Sequence, residues 1–251
     1  MQNFPHIISH IIVAAATYGE VTALIKKVEK TSVLRVGGRE TVSGHIDGKP
    51  VKILVTGQGI VNTVQALTAS VEDSRPGLII QAGCAGAFKE AGLKIGDIGI
   101  ATEEIDVHLG IEPENVNRPL IELPFPVTTC NDLDIKNRYP IDNKRVDQAC
   151  KSIKNILGGK DISFKKGPFI TVSTITATDK RAERLYKWFA PCMENMEGSG
   201  AAHIAIHYGI PFLEVRCASN FVGKRDPDSW DLPLAFERGA LAVLAVICGF
   251  D

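Results

Sequence analysis

Residues 194–220 read ENMEGSGAAHIAIHYGIPFLEVRCASN, and this run holds one helix-to-strand unit of the fold in a single piece. It divides into an acidic entry, a helix of small residues and an apolar strand with a polar end. The helix is expected to begin near Glu197 and to run through Ala201, Ala202, Ile204, Ala205 and Ile206. Gly209 should stop it, with Pro211 just beyond, because glycine past a helix end followed by proline cannot continue the helix. Phe212 to Ala218 is too short for a helix and is bounded by turn signals, so it reads as a buried strand. Ser219 and Asn220 stand at its carboxyl end. Strict alternation puts Glu214, Arg216, Ala218 and Asn220 on one side. An arginine there needs a partner, since an unpaired buried charge is very costly. Glu197 at the helix start is the candidate. Ligands of open α/β sheets bind outside the carboxyl ends of strands. Met196, Glu197, Arg216, Ser219 and Asn220 are therefore the first candidate site.

Outward from this run, strands and helices alternate. His10 to Ala16 reads as a central strand, and Val21, Leu24, Ile25 and Val28 mark one face of a helix starting near Glu20. Glu20 thus sits at a strand-to-helix junction, where helix N–H groups favour a carboxylate; on position alone a helix cap is the better reading. Asp47-Gly48 reads as a hairpin turn. Val51 to Thr56 is a strand, and GQGIVNT at 57–63 opens a helix. Asn62 replaces the third glycine of a dinucleotide fingerprint, so a tight turn is the better reading there. Leu78 to Gln81 runs into Ala82-Gly83-Cys84-Ala85-Gly86-Ala87, small residues that let backbone approach a ligand. Cys84 has no neighbouring histidine to activate it as a nucleophile. Gly96 to Ala101 is a further strand. The stretch from Thr102 to about Asn143 reads as a long irregular loop with five prolines; Asp106 and His108 at its start could reach a ligand, but ordinary polar surface is the better reading. Phe169 to Thr174 reads as a strand leading into Ile175. His203 and His207 lack the acidic partner of a zinc signature and read as structural. Alternating strands and helices predict a single α/β domain over 1–251, its sheet mixed but mostly parallel and flanked by helices.

Composition narrows the function. With 28 basic and 29 acidic residues, the net charge of −1 leaves no electrostatic footprint for nucleic acid. No basic amphipathic helix or membrane-length apolar run is present, so no membrane partner is expected. The six cysteines are scattered without a Cys-x-x-Cys pair and read as small core residues of a cytoplasmic protein. No cationic segment precedes the first apolar run, so a secretory signal is not expected. No cofactor and no metal are expected.

MEG at 196–198 with RCASN at 216–220, Glu20-Val21, GQGIVNT at 57–63, and QAGCAGA at 81–87 followed by GDI at 96–98 together resemble the nucleoside phosphorylase and nucleosidase superfamily. Each motif is weak alone; four in order span most of the chain. Within the superfamily, SNFVGKRD with Trp230 close behind looks most like the futalosine hydrolases, which cleave hypoxanthine from futalosine in a menaquinone pathway. The resemblance implies a partly barrel-like sheet and a homodimer or higher homo-oligomer. It implies Glu20, Glu197 and Asn220 as catalytic residues. Gly83, Cys84, Gly86, Thr174, Ile175, Met196, Arg216 and Ser219 would line the purine nucleoside.

Phosphorylases of the superfamily resemble one another in Gly-Asp-Pro-x-Arg after the first strand and Arg-x-Gly-Ser at the second glycine motif. Here those places read Ala16-Thr17-Tyr18-Gly19-Glu20 and Gln81-Ala82-Gly83-Cys84. Both arginines are missing and a glutamate would repel phosphate, so water is the expected nucleophile. Glu20 would act as its general base, Glu197 would hold the ribose hydroxyls, Arg216 would orient Glu197, and Ser219 would fix Asn220. Asn220 stands where the superfamily usually has aspartate. An amide offers both a donor and an acceptor but no full proton, which suits a 6-oxopurine better than adenine. The alternatives are a methylthioadenosine/S-adenosylhomocysteine or aminodeoxyfutalosine nucleosidase, a phosphorylase, and a nucleoside-binding module without catalysis.

Overall fold

Strand β1 (Ile11–Ala15) is buried at every position, as a strand covered by helices on both faces must be. It pairs in parallel with β4 (Lys49–Val55) on one side and β5 (Leu78–Ala87) on the other. The computed structural model describes residues 10–115, 117–130, 133–159 and 161–250. β4 continues antiparallel into β3 (Arg39–Ile46) and then β2 (Glu29–Val36), which forms the exposed edge. Asp47 and Gly48 both take positive φ, 51° and 73°, as the expected two-residue hairpin turn requires.

On the other side of β5 the sheet curls back on itself. β12 (Phe212–Phe221) pairs in parallel with β5 and antiparallel with β6 (Ile98–Asp106). β10 (Phe164–Thr171) lies parallel to β6, and β11 (Met193–Asn195) lies parallel to β10. β11 also bonds β5, which closes β5, β12, β6, β10 and β11 into a ring. The sheet is therefore partly barrel-like, with one parallel run through β12, β5, β1 and β4 and another through β6, β10 and β11, joined by antiparallel pairs at β12–β6 and at the β11–β5 seam.

Helices cover both faces: α1 (Tyr18–Ile25), α2 (Ile60–Asp73), α3 (Asn143–Leu157), α4 (Asp179–Phe189), α5 (Gly198–His207) and α6 (Leu232–Cys248). No helix among the described residues is long and apolar enough to cross a membrane. His203 and His207 stack on α5 with ring centroids 6.4 Å apart, and Tyr139 meets His203 edge-on.

Three expectations need correction. The expected loop after Ala101 is strand as far as Asp106, and short strands β7 (Thr128–Cys130), β8 (Leu133–Ile135) and β9 (Arg138–Pro140) follow. Its polar sequence hides a strand because Glu103 meets Arg138 at 3.1 Å on the outside, while Glu104 is satisfied inside. β10 starts at Phe164 and ends at Thr171 rather than spanning 169–174; a register shift at Gly167-Pro168 masks its first half. β12 runs on to Phe221, and a shift between Ala218 and Asn220 breaks the strict alternation. That bulge brings both Ser219 and Asn220 to the sheet's working edge.

Candidate active site

The carboxyl ends of β1, β5, β10, β11 and β12 converge on a cavity of about 420 Å³, the place where parallel strands leave a crevice. Glu20 enters it from α1. Thr17 is the N-cap, and Glu20 closes a capping box by accepting from Thr17 N at 2.8 Å through Oε2. Its other oxygen, Oε1, accepts from Cys84 N at 3.0 Å. Glu20 is thus part of the helix cap without being the N-cap residue, and its carboxylate still lies on the cavity wall. Gly83 explains how it fits. A Cβ there would lie 2.5 Å from Glu20 Oε1, and the φ of 149° disfavours any side chain.

Glu197 is the N-cap of α5 and is 4 % exposed. Its Oε1 accepts from Gly59 N at 2.9 Å, which gives the glycine turn before α2 a definite task. Its Oε2 lies 3.2 Å from Arg216 Nη2. Its backbone N–H, and that of Gly198, donate to Asn195 Oδ1 at 2.9 and 2.7 Å. Arg216 is 1 % exposed and donates through Nε to Glu214 at 2.6 Å and through Nη1 to Cys84 O at 3.0 Å. Burial works against its charge, but Glu214, Glu197 and Glu20 outweigh that, so its pKa lies above the usual arginine value. Breaking such a buried pair by removing one partner costs about 3–5 kcal/mol.

At the bulge, Ser219 Oγ donates to Asn220 Oδ1 at 2.8 Å, and Asn220 Nδ2 donates to Phe221 O at 3.0 Å. That leaves one amide N–H of Asn220 uncommitted within the cavity. Cys84 lines the wall with its thiol pushed up to about 12, mainly by burial and then by Glu20, which makes it an inert thiol.

Of the residues singled out in the sequence, Glu20, Glu197, Asn220, Cys84, Gly86, Ile175, Met196, Arg216 and Ser219 come together on this wall. Gly83 and Thr174 do not line it. Gly83 lies behind Glu20, and exposed Thr174 gives its carbonyl to Arg181 at 2.8 Å. Asp106 and His108 also stay outside: Asp106 accepts from His108 N, and His108 Nδ1 accepts from Ser173 N, both at 2.9 Å.

The cavity adds residues that the sequence reading missed. Glu194 is nine-tenths buried, accepts from Thr176 N at 3.0 Å and Thr176 Oγ at 2.5 Å, and has its pKa raised chiefly by burial. Glu194 and Asn220 are both register partners of Gly86, one from each side of β5. Gln58 and Phe236 also line the wall, as do Arg225 and Trp230 of the stretch that carried the futalosine hydrolase resemblance. Arg225 stacks over the Trp230 ring at 4.6 Å. No cluster of His, Cys, Asp and Glu suited to a metal occurs among the described residues.

Residues 10–249 match the family model of the phosphorylase superfamily. The chain belongs to that superfamily. Among its relatives is the 5'-methylthioadenosine/S-adenosylhomocysteine nucleosidase of Geobacillus sp. (strain WCH70), 27% identical over 240 residues that cover 94% of this chain and 97% of the relative. The Bacillus licheniformis nucleosidase of the same name is 28% identical over 222 residues, covering 88% and 90%. In structure, the Neisseria meningitidis nucleosidase in complex with methylthio-immucillin-A superposes with a TM-score of 0.81 at 19% identity, covering 96% of this chain and 100% of that one. The Colwellia psychrerythraea nucleosidase in complex with adenine also gives 0.81, at 21% identity and coverage of 96% and 95%. The fold expected of the superfamily is the fold found.

Proposed function

We propose that this protein hydrolyses the N-ribosidic bond of a purine nucleoside. The observation that carries the reading is the pair of buried carboxylates, Glu20 and Glu197, on one cavity wall, each held by a backbone N–H and both close to Arg216. Cleaving such a bond develops positive charge on the sugar and negative charge on the departing base. Two carboxylates suit the sugar side of that transition state. Glu197 holds the ribose hydroxyls, and Glu20 draws a proton from water at the anomeric carbon. Attack by phosphate would need a cation in Glu20's place, and the donors of Arg216 are directed at Glu197, Glu214 and Cys84. Arg225 is the other cation on the wall, at the exposed loop end.

For the substrate, the relatives' names support the 5'-methylthioadenosine/S-adenosylhomocysteine class. A second reading, a 6-oxopurine nucleoside such as futalosine, is favoured by Asn220 and Glu194 flanking Gly86. An ionised Glu194 would accept from the N1–H that a 6-oxopurine has and adenine lacks, with the one free N–H of Asn220 donating toward N7. A protonated Glu194 would instead donate to adenine N1, so the charge on Glu194 separates the two bases.

The test is the base released from a panel of methylthioadenosine, S-adenosylhomocysteine, aminodeoxyfutalosine, futalosine and inosine. Adenine from the first two supports the first reading. Hypoxanthine from futalosine, with the adenine nucleosides spared, supports the second. Tight nucleoside binding with no base released from any of them contradicts hydrolysis and leaves a binding module.

A further inference from the structure

Behind Arg216, outside the cavity, lie two more carboxyl groups that the chemistry above does not use. Glu104 on β6 and Glu214 on β12 are both 0 % exposed, where an isolated ionised carboxylate is very costly. They meet at Gly198, the first residue of α5. A Cβ on Gly198 would lie 2.3 Å from Glu104 Oε1 and 2.5 Å from Glu214 Oε2. Glu214 spends Oε1 on Arg216, and its Oε2 finds no donor apart from the Glu104 carboxyl beside it. Every other contact of Glu104 is with a donor: Thr171 Oγ at 2.6 Å on Oε2 and Asn195 Nδ2 at 2.8 Å on Oε1.

Those two partners lead to Glu197 by a separate route. Asn195 is turned by Glu104 so that its Oδ1 receives the N–H groups of Glu197 and Gly198. Thr171 Oγ, donating to Glu104, accepts from Ser199 N at 2.8 Å. The first N–H groups of α5 are therefore held through Glu104, while the Glu197 side chain is held through Glu214 and Arg216. A carboxyl that accepts two hydrogen bonds and faces an unsatisfied carboxylate oxygen satisfies that oxygen only by carrying a proton.

We infer that Glu104 keeps a proton which it donates to Glu214 Oε2, and that this carboxyl pair is a positioning device setting the backbone and side chain of Glu197. The inference of a catalytic consequence rests on the nucleoside hydrolase reading; the proton itself does not. Burial, and then the neighbouring Glu214, raise the Glu104 pKa well above the usual carboxyl value, against the pull of Thr171 and Arg216. The titratable and charged groups facing the pair are Arg216 on β12, Glu197 at the start of α5, and Glu20 on α1 across Arg216. Tyr139, the β9 register partner of Glu104, is pushed up to about 12 by burial and then Asp106. His203 packs on Tyr139, and its burial lowers its pKa.

The folded chain binds the Glu104 proton more tightly than the unfolded chain. Its contribution to stability is therefore full below the ordinary carboxyl pKa and is lost as pH rises through the folded value. Glu104→Gln keeps shape and neutrality and cannot titrate. We expect the Tm of Glu104→Gln relative to the natural chain to climb by several degrees between about pH 4 and about pH 8. Glu214→Gln, which removes the charge facing Glu104, should shrink the natural chain's pH slope. In base release, Glu104→Gln should stay within about tenfold of the natural chain, while Glu104→Ala loses about 100-fold through misplacement of Glu197. A Tm difference that is flat with pH, an unchanged slope in Glu214→Gln, or equal losses in the Gln and Ala variants would overturn the pair. If no nucleoside is cleaved at all, the hydrolase reading fails while the melting profiles still decide whether the proton is there.

Discussion

Around Glu197 the cavity wall is braced by side chains from several elements at once, whereas around Trp230 it is a single loop tied to the frame through backbone N–H groups, Lys224 N on Asp179 and Asp231 N on Ser219 O. Glu197 is gripped by the half-buried turn before α2 and by two buried side chains, Arg216 of β12 and Asn195 of β11. Arg225 and Trp230 hold each other through one cation–π contact on an exposed segment. The difference separates tasks. Groups that handle developing charge need fixed geometry, while groups that sort substrates can sit on a loop carried by the rigid frame.

The largest expected effect breaks the braced end chemically without disturbing its shape. Glu20→Gln keeps the acceptor for Cys84 N but removes the base, and base release should fall by about 10²–10⁴-fold with nucleoside binding retained. Unchanged turnover would remove Glu20 from the mechanism. Next, Arg216→Met leaves Glu197 and Glu214 buried without their cation, at a cost of about 3–5 kcal/mol in urea unfolding. A loss below about 1 kcal/mol, the range of a surface pair, would mean that the brace contributes little. Asn220→Asp restores an acid where only an amide stands. It should shift preference toward adenine nucleosides by about tenfold, one good hydrogen bond's worth, while sparing inosine-type cleavage. Equal losses on both would contradict the base-pairing argument. The smallest effect is at the loop: Arg225→Ala should change KM by only a few-fold and leave kcat intact, in keeping with an exposed cation–π pair of about 0.5–1 kcal/mol. A kcat loss comparable to that of Glu20→Gln would erase the distinction between the two ends.

What the sequence disclosed follows the same division. Arg216 was legible because a charge inside an apolar strand demands a partner, and Glu197 was the acidic residue at the next helix start. Glu20 was placed at a strand-to-helix junction, a position that by itself favoured a helix cap; the family resemblance supplied its role as base, and its double task with Thr17 and Cys84 shows only in space. Gly59 was not legible as a donor, because the turn meets Glu197 across a long stretch of chain. Glu194 stood in the opening stretch, yet it is satisfied by Thr176, from a segment just past the expected strand to which no role was given. Gly83 and Thr174 were drawn from a family pattern, and neither lines the cavity: one makes room for a carboxylate, the other braces Arg181. Glu104 was hidden in a polar run that looked like loop, since nothing local shows that Thr171 and Asn195 satisfy it. The closed ring β5–β12–β6–β10–β11 came from the family resemblance, because the β11–β5 seam joins two short, unremarkable segments.

The central claim is that water, and not phosphate, takes the ribosyl group. It is tested most directly by identifying the sugar product of a cleaved nucleoside at saturating inorganic phosphate, by phosphorus NMR and mass spectrometry. The account predicts free reducing sugar at a rate indifferent to phosphate. A ribosyl 1-phosphate product, formed only when phosphate is supplied, would contradict it.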